Sequence, residues 1–275
     1  MTVFLEHRVR LAPRCLQGVE VFSICSARRF PRHAHDQFGL GIMRAGGHMS
    51  WSESGQVEAG QGDVIAVSPN EIHDGAPIGA SRCWDMIFVE PTTVARMAGT
   101  QAAGRELGFA ARSAPSLLTH LEHALVALRA GEEAVAEEAL TTLFSDVLLK
   151  KRPAGDRGPS RATTLVLERI RDRPDAPPSL DEVAGLMGMH RTGALRRFRR
   201  EVGATPHDYA MQMRLRLARR ALAAGSTPAE VALDLGFADQ SHLTRSFVRQ
   251  FGLPPGHYRS ANATIVQDGE RGRGV

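Results

Sequence analysis

Several classes of protein are closed to this chain by what it lacks. Cysteine is scarce, with three among 275 residues. Cys15, Cys25 and Cys83 are odd in number and far apart, which points to reduced, small apolar side chains rather than a disulfide framework. No apolar run approaches the roughly 20 residues that cross a bilayer. The opening stretch MTVFLEHRVRLAPRC is interrupted by charge every few positions and has no apolar secretion-signal core, so a cytoplasmic protein with no membrane partner is expected. Motifs that carry chemistry are missing too. Gly39-Leu40-Gly41 lacks the third glycine of a dinucleotide fingerprint, and neither a P-loop nor a nucleophile elbow occurs. Histidines and serines form no local nucleophilic constellation, so the chain reads as non-enzymatic, with no catalytic residue and no cofactor. Lysine is absent from Arg161 to the end, where 18 arginines stand against 12 acids. That segment is net +6 and the remainder net −2. Basic charge concentrated in one domain calls for a polyanion, whereas a membrane-surface protein would need a long amphipathic or apolar segment that is not found.

What the chain does have is a repeat. The stretch SLDEVAGLMGMHRTGALRRFRREVGATPHDY from Ser179 returns as TPAEVALDLGFADQSHLTRSFVRQFGLPPGHY from Thr227. Glu182, Val183, Ala184 and Gly188 match Glu230, Val231, Ala232 and Gly236 at an offset of 48. Arg196, Phe198, Arg200, Gly203, Pro206 and Tyr209 match Arg245, Phe247, Arg249, Gly252, Pro255 and Tyr258 at an offset of 49. The second copy therefore holds one extra residue, in its turn or at the start of its second helix. Each copy reads as helix, glycine turn, helix. Ser179 with Glu182 has the form of a capping box, ahead of an apolar face of Val183, Leu186 and Met187. Gly188 supplies the permissive backbone of the turn. Ala194 and Phe198 in one copy, and Leu243 and Phe247 in the other, sit at i, i+4 and point inward.

The outward sets are short polar residues with an arginine, the types that reach base edges in a major groove. Thr192, Leu195 and Arg196 are the base-reading candidates of the first copy. Gln240, Ser241, His242, Thr244 and Arg245 are those of the second. Arg191, Arg199, Arg200 and Arg249 are candidates for phosphate contacts. From His190 to Arg220 nine arginines oppose only Glu201 and Asp208, too one-sided for a merely solvated face.

The joint between domains is legible at Lys150 to Ser160, which has turn formers, charge and no apolar periodicity. A helix from about Thr163 to Arg173 follows, broken by Pro174, Pro177 and Pro178. After Tyr209 a long helix through Ala224 joins the copies, with Met211, Leu215, Ala218 and Leu222 on its buried side. The tail after Ala261 reads as disordered. Residues 1 to about 90 are β-rich, with short apolar segments at Val19 to Ile24, Phe38 to Met43, Val64 to Val67 and Cys83 to Val89 between Gly, Pro and Asp turns. Ser116 to Lys150 is helical in pattern. Leu117, Leu121, Leu125 and Leu128 share one face of its first helix, and Val135, Leu140, Leu143, Phe144 and Val147 share one face of its second. That hairpin either packs on its own barrel or makes a dimer contact.

Residues 161 to 260 resemble the DNA-binding domain of the AraC/XylS family of bacterial transcription regulators. The resemblance is carried by Ala184 with Gly188, Arg196-Arg197-Phe198, Gly203-Ala204-Thr205-Pro206, Arg214 with Leu215, and the run GFADQSHLTRSFVRQFGLPPGHYR from Gly236. Ala194 departs from it, since the family places a larger apolar residue there. His33-Ala34-His35, Gly60-Gln61-Gly62-Asp63 and Pro69-Asn70-Glu71-Ile72-His73 resemble the two conserved segments of cupin barrels. Together these resemblances imply an α+β multidomain protein. Its parts are a cupin-like sensing barrel at 1–112, a helical hairpin at 113–150 and a linker at 151–161. A DNA-binding domain at 162–260 holds helix-turn-helix motifs at about 179–202 and 227–251, joined by a long helix, and a tail at 261–275 follows.

The implied function is a sequence-specific regulator, cytoplasmic and nucleoid-associated when bound. Its implied partners are double-stranded DNA, a small-molecule effector, RNA polymerase if it activates, and a second copy of itself through the hairpin. His33, His35 and His73, with Trp84 and Met86 on an inward strand, are the effector-pocket candidates. Such histidines hold a metal in cupin enzymes, which add a glutamate after the paired histidines. Here Asp36, Gln37 and Phe38 fill that place, and no metal is expected. Two alternatives stand beside this one: a barrel that only dimerises, and a metal-dependent cupin enzyme fused to a DNA-binding domain.

Overall fold

The computed structural model describes residues 7–52, 55–98, 106–108, 110–149 and 159–262. Most of the expected linker and tail, at 151–158 and 263–275, lies outside them. The chain divides into two compact units, the second spanning Pro153–Arg259. Each is described by itself.

The N-terminal unit holds β1 (Arg8–Leu11), β2 (Val19–Ser26), β3 (Phe30–His33), β4 (Phe38–Ser52), β5 (Gly55–Ala59), β6 (Val64–Val67) and β7 (His73–Val89). After them come α1 (Pro91–Ala98), β8 (Glu106–Leu107), β9 (Ala111–Arg112), α2 (Pro115–Ala130), α3 (Glu133–Val147) and β10 (Leu148–Leu149). The main sheet is antiparallel in the order β1-β2-β7-β4-β6-β9, with β3 on β7 and β5 on β4. Its spine is the pair β4 and β7, whose register shifts between Met43 and Gly47. Bulges of this kind bend a long strand pair. The pair therefore takes β2 and β6 beside one half, and β3 and β5 beside the other.

Strand alternation gives the sheet two different faces. Val21, Leu40, Ile42, Val64, Ile87 and Val89 join one core with Leu121, Leu125, Leu140, Leu143 and Phe144 of the hairpin. The opposite face carries Phe22, Met43, Ile65, Trp84 and Met86, all buried. Gly41 is needed there, because a Cβ would lie 2.2 Å from Met86 Sδ and 2.5 Å from the Asp85 carbonyl.

Ions as well as packing fix the hairpin to its own sheet. Asp85 accepts from Arg44 Nε at 2.7 Å and from Ser23 Oγ at 2.7 Å, and it pairs with Arg129 at 2.7 Å. Arg44 also grips Glu122 of α2 with both Nη atoms. Burial alone would raise the Asp85 carboxyl, but these donors outweigh it and hold it below the usual carboxylate range. Leu117, Leu121, Leu125 and Leu128 are buried as expected, whereas Val135 is exposed and Ala136 takes its inward place. The cysteine expectation also needs correction. The β2–β7 register sets Cys25 opposite Cys83 with Cα atoms 4.1 Å apart, and a disulfide joins them, leaving Cys15 free among the described residues. Separation along the chain concealed this pairing, because the register was not readable.

The C-terminal unit is helical: α4 (Arg161–Asp172), α5 (Leu180–Met187), α6 (Arg191–Val202), α7 (Pro206–Ala223), α8 (Pro228–Asp234), α9 (Gln240–Phe251) and a last helix, α10, over 255–262. Its ends obey capping chemistry. Ser160, Ser179, Thr205, Thr227 and Asp239 each accept a backbone N–H from the first turn of the helix they precede. The full reciprocal capping box forms at Thr227 and Glu230. At Ser179 only half of it forms, because Glu182 instead accepts from Arg169 Nε at 2.7 Å.

Glu201, at the end of α6, ties α4 into this unit. It accepts from the Ser160 N–H at 2.9 Å, from Ser160 Oγ at 2.7 Å and from Arg197 Nε at 2.8 Å. Burial pushes its carboxyl up, but these donors and Thr163 outweigh that and bring it down to about 2. A depressed carboxylate stabilises the fold above its unfolded value and loses that contribution as pH falls through the folded one. Glu201→Gln is therefore expected to cost about 2 kcal/mol at pH 7 and far less near pH 2, measured by denaturant unfolding at both. An equal cost at both pH values would refute the assignment.

Candidate nucleic-acid interface and ligand face

The two helix-turn-helix copies superpose in sequence and differ at one place. Residues 188–190 separate α5 from α6, and residues 235–239 separate α8 from α9. The spare residue of the second copy thus lies in its turn, ahead of the second helix. Gly188 and Gly236 both take the left-handed conformation, with φ of 60° and 67°. Behind each second helix the same aromatic pair recurs. Phe198 lies 6.4 Å from Tyr209, and Phe247 lies 5.6 Å from Tyr258. Ala194, Phe198, Leu243 and Phe247 are completely buried, so each second helix has one face committed to the core and the other turned out.

Arg196 and Arg245 are both exposed and hold the same place, the sixth residue of α6 and of α9. Thr192, Gln240 and Ser241 are also exposed near the helix starts, as are Arg199, Arg200 and Arg249 further along. Other candidates are committed elsewhere. Leu195 is half-buried. His242 folds back on its own turn, its ring 5.4 Å from Phe237 and its Nδ1 accepting from the Ala238 N–H at 3.4 Å. Thr244 Oγ1 donates to the Gln240 carbonyl at 2.8 Å. Arg191 is exposed but held by Asp181.

The nine arginines between His190 and Arg220 do not all face outward. Arg214, Arg216 and Arg219 are buried on α7, and Arg197 is paired with Glu201, so the outward charge is narrower than the sequence count. Arg214 is a residue whose role the charge count missed. It donates Nε to the Leu235 carbonyl at 2.8 Å and Nη2 to the Gly236 carbonyl, with its guanidinium 4.1 Å over the Phe237 ring. A cation at a helix C-terminus satisfies carbonyls that the helix leaves open. Its signal was an apolar spacing: Met211, Leu215, Ala218 and Leu222 mark the buried side of α7, and Arg214 adjoins that stripe.

In the N-terminal unit, register brings the three candidate histidines together. His33 faces His73 across β3 and β7, and one nitrogen of each of His33, His35 and His73 lies within 4.8 Å of the others. His33 Nδ1 lies 2.7 Å from the Pro31 carbonyl and His73 Nδ1 3.0 Å from that of Glu71. A carbonyl only accepts, so these Nδ1 atoms carry the proton and Nε2 keeps the lone pair. That donor set is of the type that holds a divalent transition metal. Among the described residues, however, no carboxylate belongs to the group. Burial pushes His73 down to about 4, and nearby His48 pushes the same way. Burial, with the Arg82 charge beside it, lowers His48 to about 4 as well.

Trp84 and Met86 lie on the sheet face away from the hairpin. Trp84 belongs to a separate group with Phe30, His48 and Arg82. Arg82 went unremarked in the sequence, although the alternation Arg82, Trp84, Met86, Phe88 places it among the inward residues of β7.

Two family models match the chain: an AraC-like ligand binding domain over residues 17–144 and a helix-turn-helix domain over residues 183–261. The regulatory protein SoxS of Escherichia coli strain K12 is 37% identical over 86 residues, covering 31% of this chain and 80% of SoxS. YbfI of Bacillus subtilis strain 168, an uncharacterized HTH-type transcriptional regulator, is 24% identical over 225 residues, covering 78% of this chain and 82% of YbfI. The HTH-type transcriptional regulator MtrA of Neisseria gonorrhoeae is 33% identical over 97 residues, where the match covers 34% of this chain and 32% of MtrA. Among solved structures, unsaturated fatty acid-bound ToxT of Vibrio cholerae strain SCE256 shares the fold, with a TM-score of 0.50 at 12% identity over 88% of this chain and 94% of that one. Fold, repeat and ligand-binding domain define a DNA-binding transcription regulator with an N-terminal ligand-binding unit. The chain belongs to the AraC family of such regulators.

Base-reading and phosphate-contacting roles for the outward arginines can be told apart by binding measurements. A bidentate arginine–guanine contact discriminates by about 1–3 kcal/mol, while a phosphate contact strengthens all sites alike. Arg245→Ala is expected to weaken a specific site far more than random DNA. Arg200→Ala is expected to weaken both similarly and to lower the salt slope by about one unit, read from titrations at several salt concentrations. Equal losses on both DNAs for Arg245→Ala would remove it from base recognition.

Proposed function

We propose that this regulator reads an operator through both helix-turn-helix motifs. Arg196 and Arg245 contact bases with Thr192, Gln240 and Ser241 beside them, while Arg199, Arg200 and Arg249 meet phosphates. The observation that supports this division most is the equivalence of Arg196 and Arg245: each is exposed at the same place on a helix whose other face is locked by a buried phenylalanine. Residues 162–260 are the DNA-binding domain, and the sheet with its hairpin is the controlling domain. An effector on the inner sheet face biases the protein toward a DNA-competent state by binding that state more tightly.

His33, His35 and His73 are polar lining of that site and hold no resident ion. Among the described residues no carboxylate joins the three histidines, and burial lowers His73 to about 4. The protein is not an enzyme. It works in the cytoplasm and on the nucleoid, contacting RNA polymerase if it activates. A second copy would approach α2 and α3 from the side away from the sheet, where Val126 and Val135 are exposed.

The test is truncation. A fragment from Arg161 to Ser260 should keep operator binding in a gel-shift assay and lose any response to ligand. DNA binding confined to residues 1–150 would reverse the division of labour proposed.

A further inference from the structure

We infer that the ligand of the N-terminal unit is a small organic acid, its carboxylate taken by Arg82 and His48 and its apolar body lying on the inner sheet face. This rests on the effector-binding function just proposed and names its chemistry.

Arg82 is 1% exposed, and Nε, Nη1 and Nη2 all lack a hydrogen-bond partner among the described residues. A guanidinium has five N–H donors in a fixed fork, and at neutral pH it is charged. Burying such a group without a counter-ion is costly, and removing that cost requires an anion with acceptor oxygens. Among the described residues none accepts from Arg82. Its guanidinium carbon lies 4.8 Å from the centre of the Trp84 ring and 5.7 Å from that of Phe30, so aromatic faces hold it in place without satisfying its hydrogens.

A second orphan converges on the same place. His48 Nδ1 is buried and unpartnered. Gly75 lies against both: a Cβ on it would come within 3.0 Å of His48 Cε1 and 3.2 Å of Arg82 Nη2, tighter than ordinary packing, so only a glycine lets the two groups approach the backbone here. Two unsatisfied nitrogen-bearing groups, one of them cationic, thus flank a residue that has no side chain.

The walls decide between anions. Trp84, Met86 and Phe88 continue from Arg82 along one side of β7, and Phe22 lies edge-on to Phe88 at 5.7 Å. These are apolar surfaces, and of the histidines that line the same site His33 and His73 spend their Nδ1 hydrogens on backbone carbonyls. A phosphate would bring nearly two charges and more oxygens than Arg82 and His48 can serve. A carboxylate brings one charge and a planar pair of oxygens that fits the fork, with a hydrocarbon or aromatic body for the walls.

The experiment uses the full chain, with benzoate and decanoate as probes, benzamide and decanol as their uncharged counterparts, and inorganic phosphate as the third arm. Calorimetry and thermal unfolding are read for wild type, Arg82→Met and Arg82→Lys. At least one carboxylate is expected to bind saturably and raise the unfolding temperature, at least tenfold tighter than its uncharged counterpart and than phosphate. Arg82→Met should lose tenfold or more of that affinity, with Arg82→Lys between it and wild type. Without ligand, Arg82→Met should be as heat-stable as wild type or more so, because it removes an uncompensated charge. The inference is overturned if neither carboxylate binds, if phosphate or the uncharged counterparts bind equally well, or if ligand-free Arg82→Met unfolds several degrees below wild type while Arg82→Lys does not. DNA binding is measured on the same preparation. Protein that binds DNA but no carboxylate rejects this inference alone; protein whose DNA binding ignores a carboxylate it holds rejects effector control alone.

Discussion

The guanidinium of Arg214 closes the open end of α8 and, with it, sets where the second recognition helix begins. Its donors reach the Leu235 and Gly236 carbonyls, and its face covers Phe237, which in turn supports His242 in the first turn of α9. One side chain from the connecting helix therefore fixes the turn whose geometry aims α9. The constraint is demanding, because a helix-turn-helix works only if the outward edge of its second helix is held rigidly while the inward edge is buried. Leu243 and Phe247 provide the burial, and Arg214 with Asp239 provides the angle. The first copy reaches a similar result with different parts. Gly188 caps α5 in the left-handed conformation, and Glu201 anchors the far end of α6 to the start of α4.

This is why the C-terminal unit was largely legible. Caps, glycine turns and i, i+4 apolar pairs are local signals: Ser179 caps α5 although its box with Glu182 closes only by half, Gly188 makes the turn, and Phe198 is buried like its counterpart Phe247. Charge was less legible, because it does not say which way a side chain points. Arg214, Arg216 and Arg219 counted toward a basic surface yet lie in the core, where the long aliphatic stems of arginine pack and the heads find carbonyls or other partners. His242 and Thr244 have base-reading chemistry but spend it on their own turn and helix. For them the decisive information was tertiary.

The N-terminal unit was harder to read for a related reason. Its strands were visible as apolar segments, but their register was not, and register determines every cross-strand meeting. It brings His33 to His73 and Cys25 to Cys83, one expected from resemblance and the other unexpected. It also settles the hairpin, whose leucines pack on the sheet and whose Glu122 is gripped by Arg44. Two faces of one sheet then divide the labour. One is a hydrocarbon core shared with α2 and α3, while the other holds buried cationic and imidazole groups among aromatic rings. A buried arginine without a hydrogen-bond partner on the second face costs stability.

Under the reading proposed, the two motifs read DNA as separate units through equivalent arginines. Selection of bound sequences from a random duplex pool tests it most directly, comparing wild type with Arg196→Ala and Arg245→Ala. A bipartite consensus is predicted for wild type, with each variant losing information in one half and retaining the other. A consensus unchanged in both variants, or lost in the same positions by both, would contradict the account.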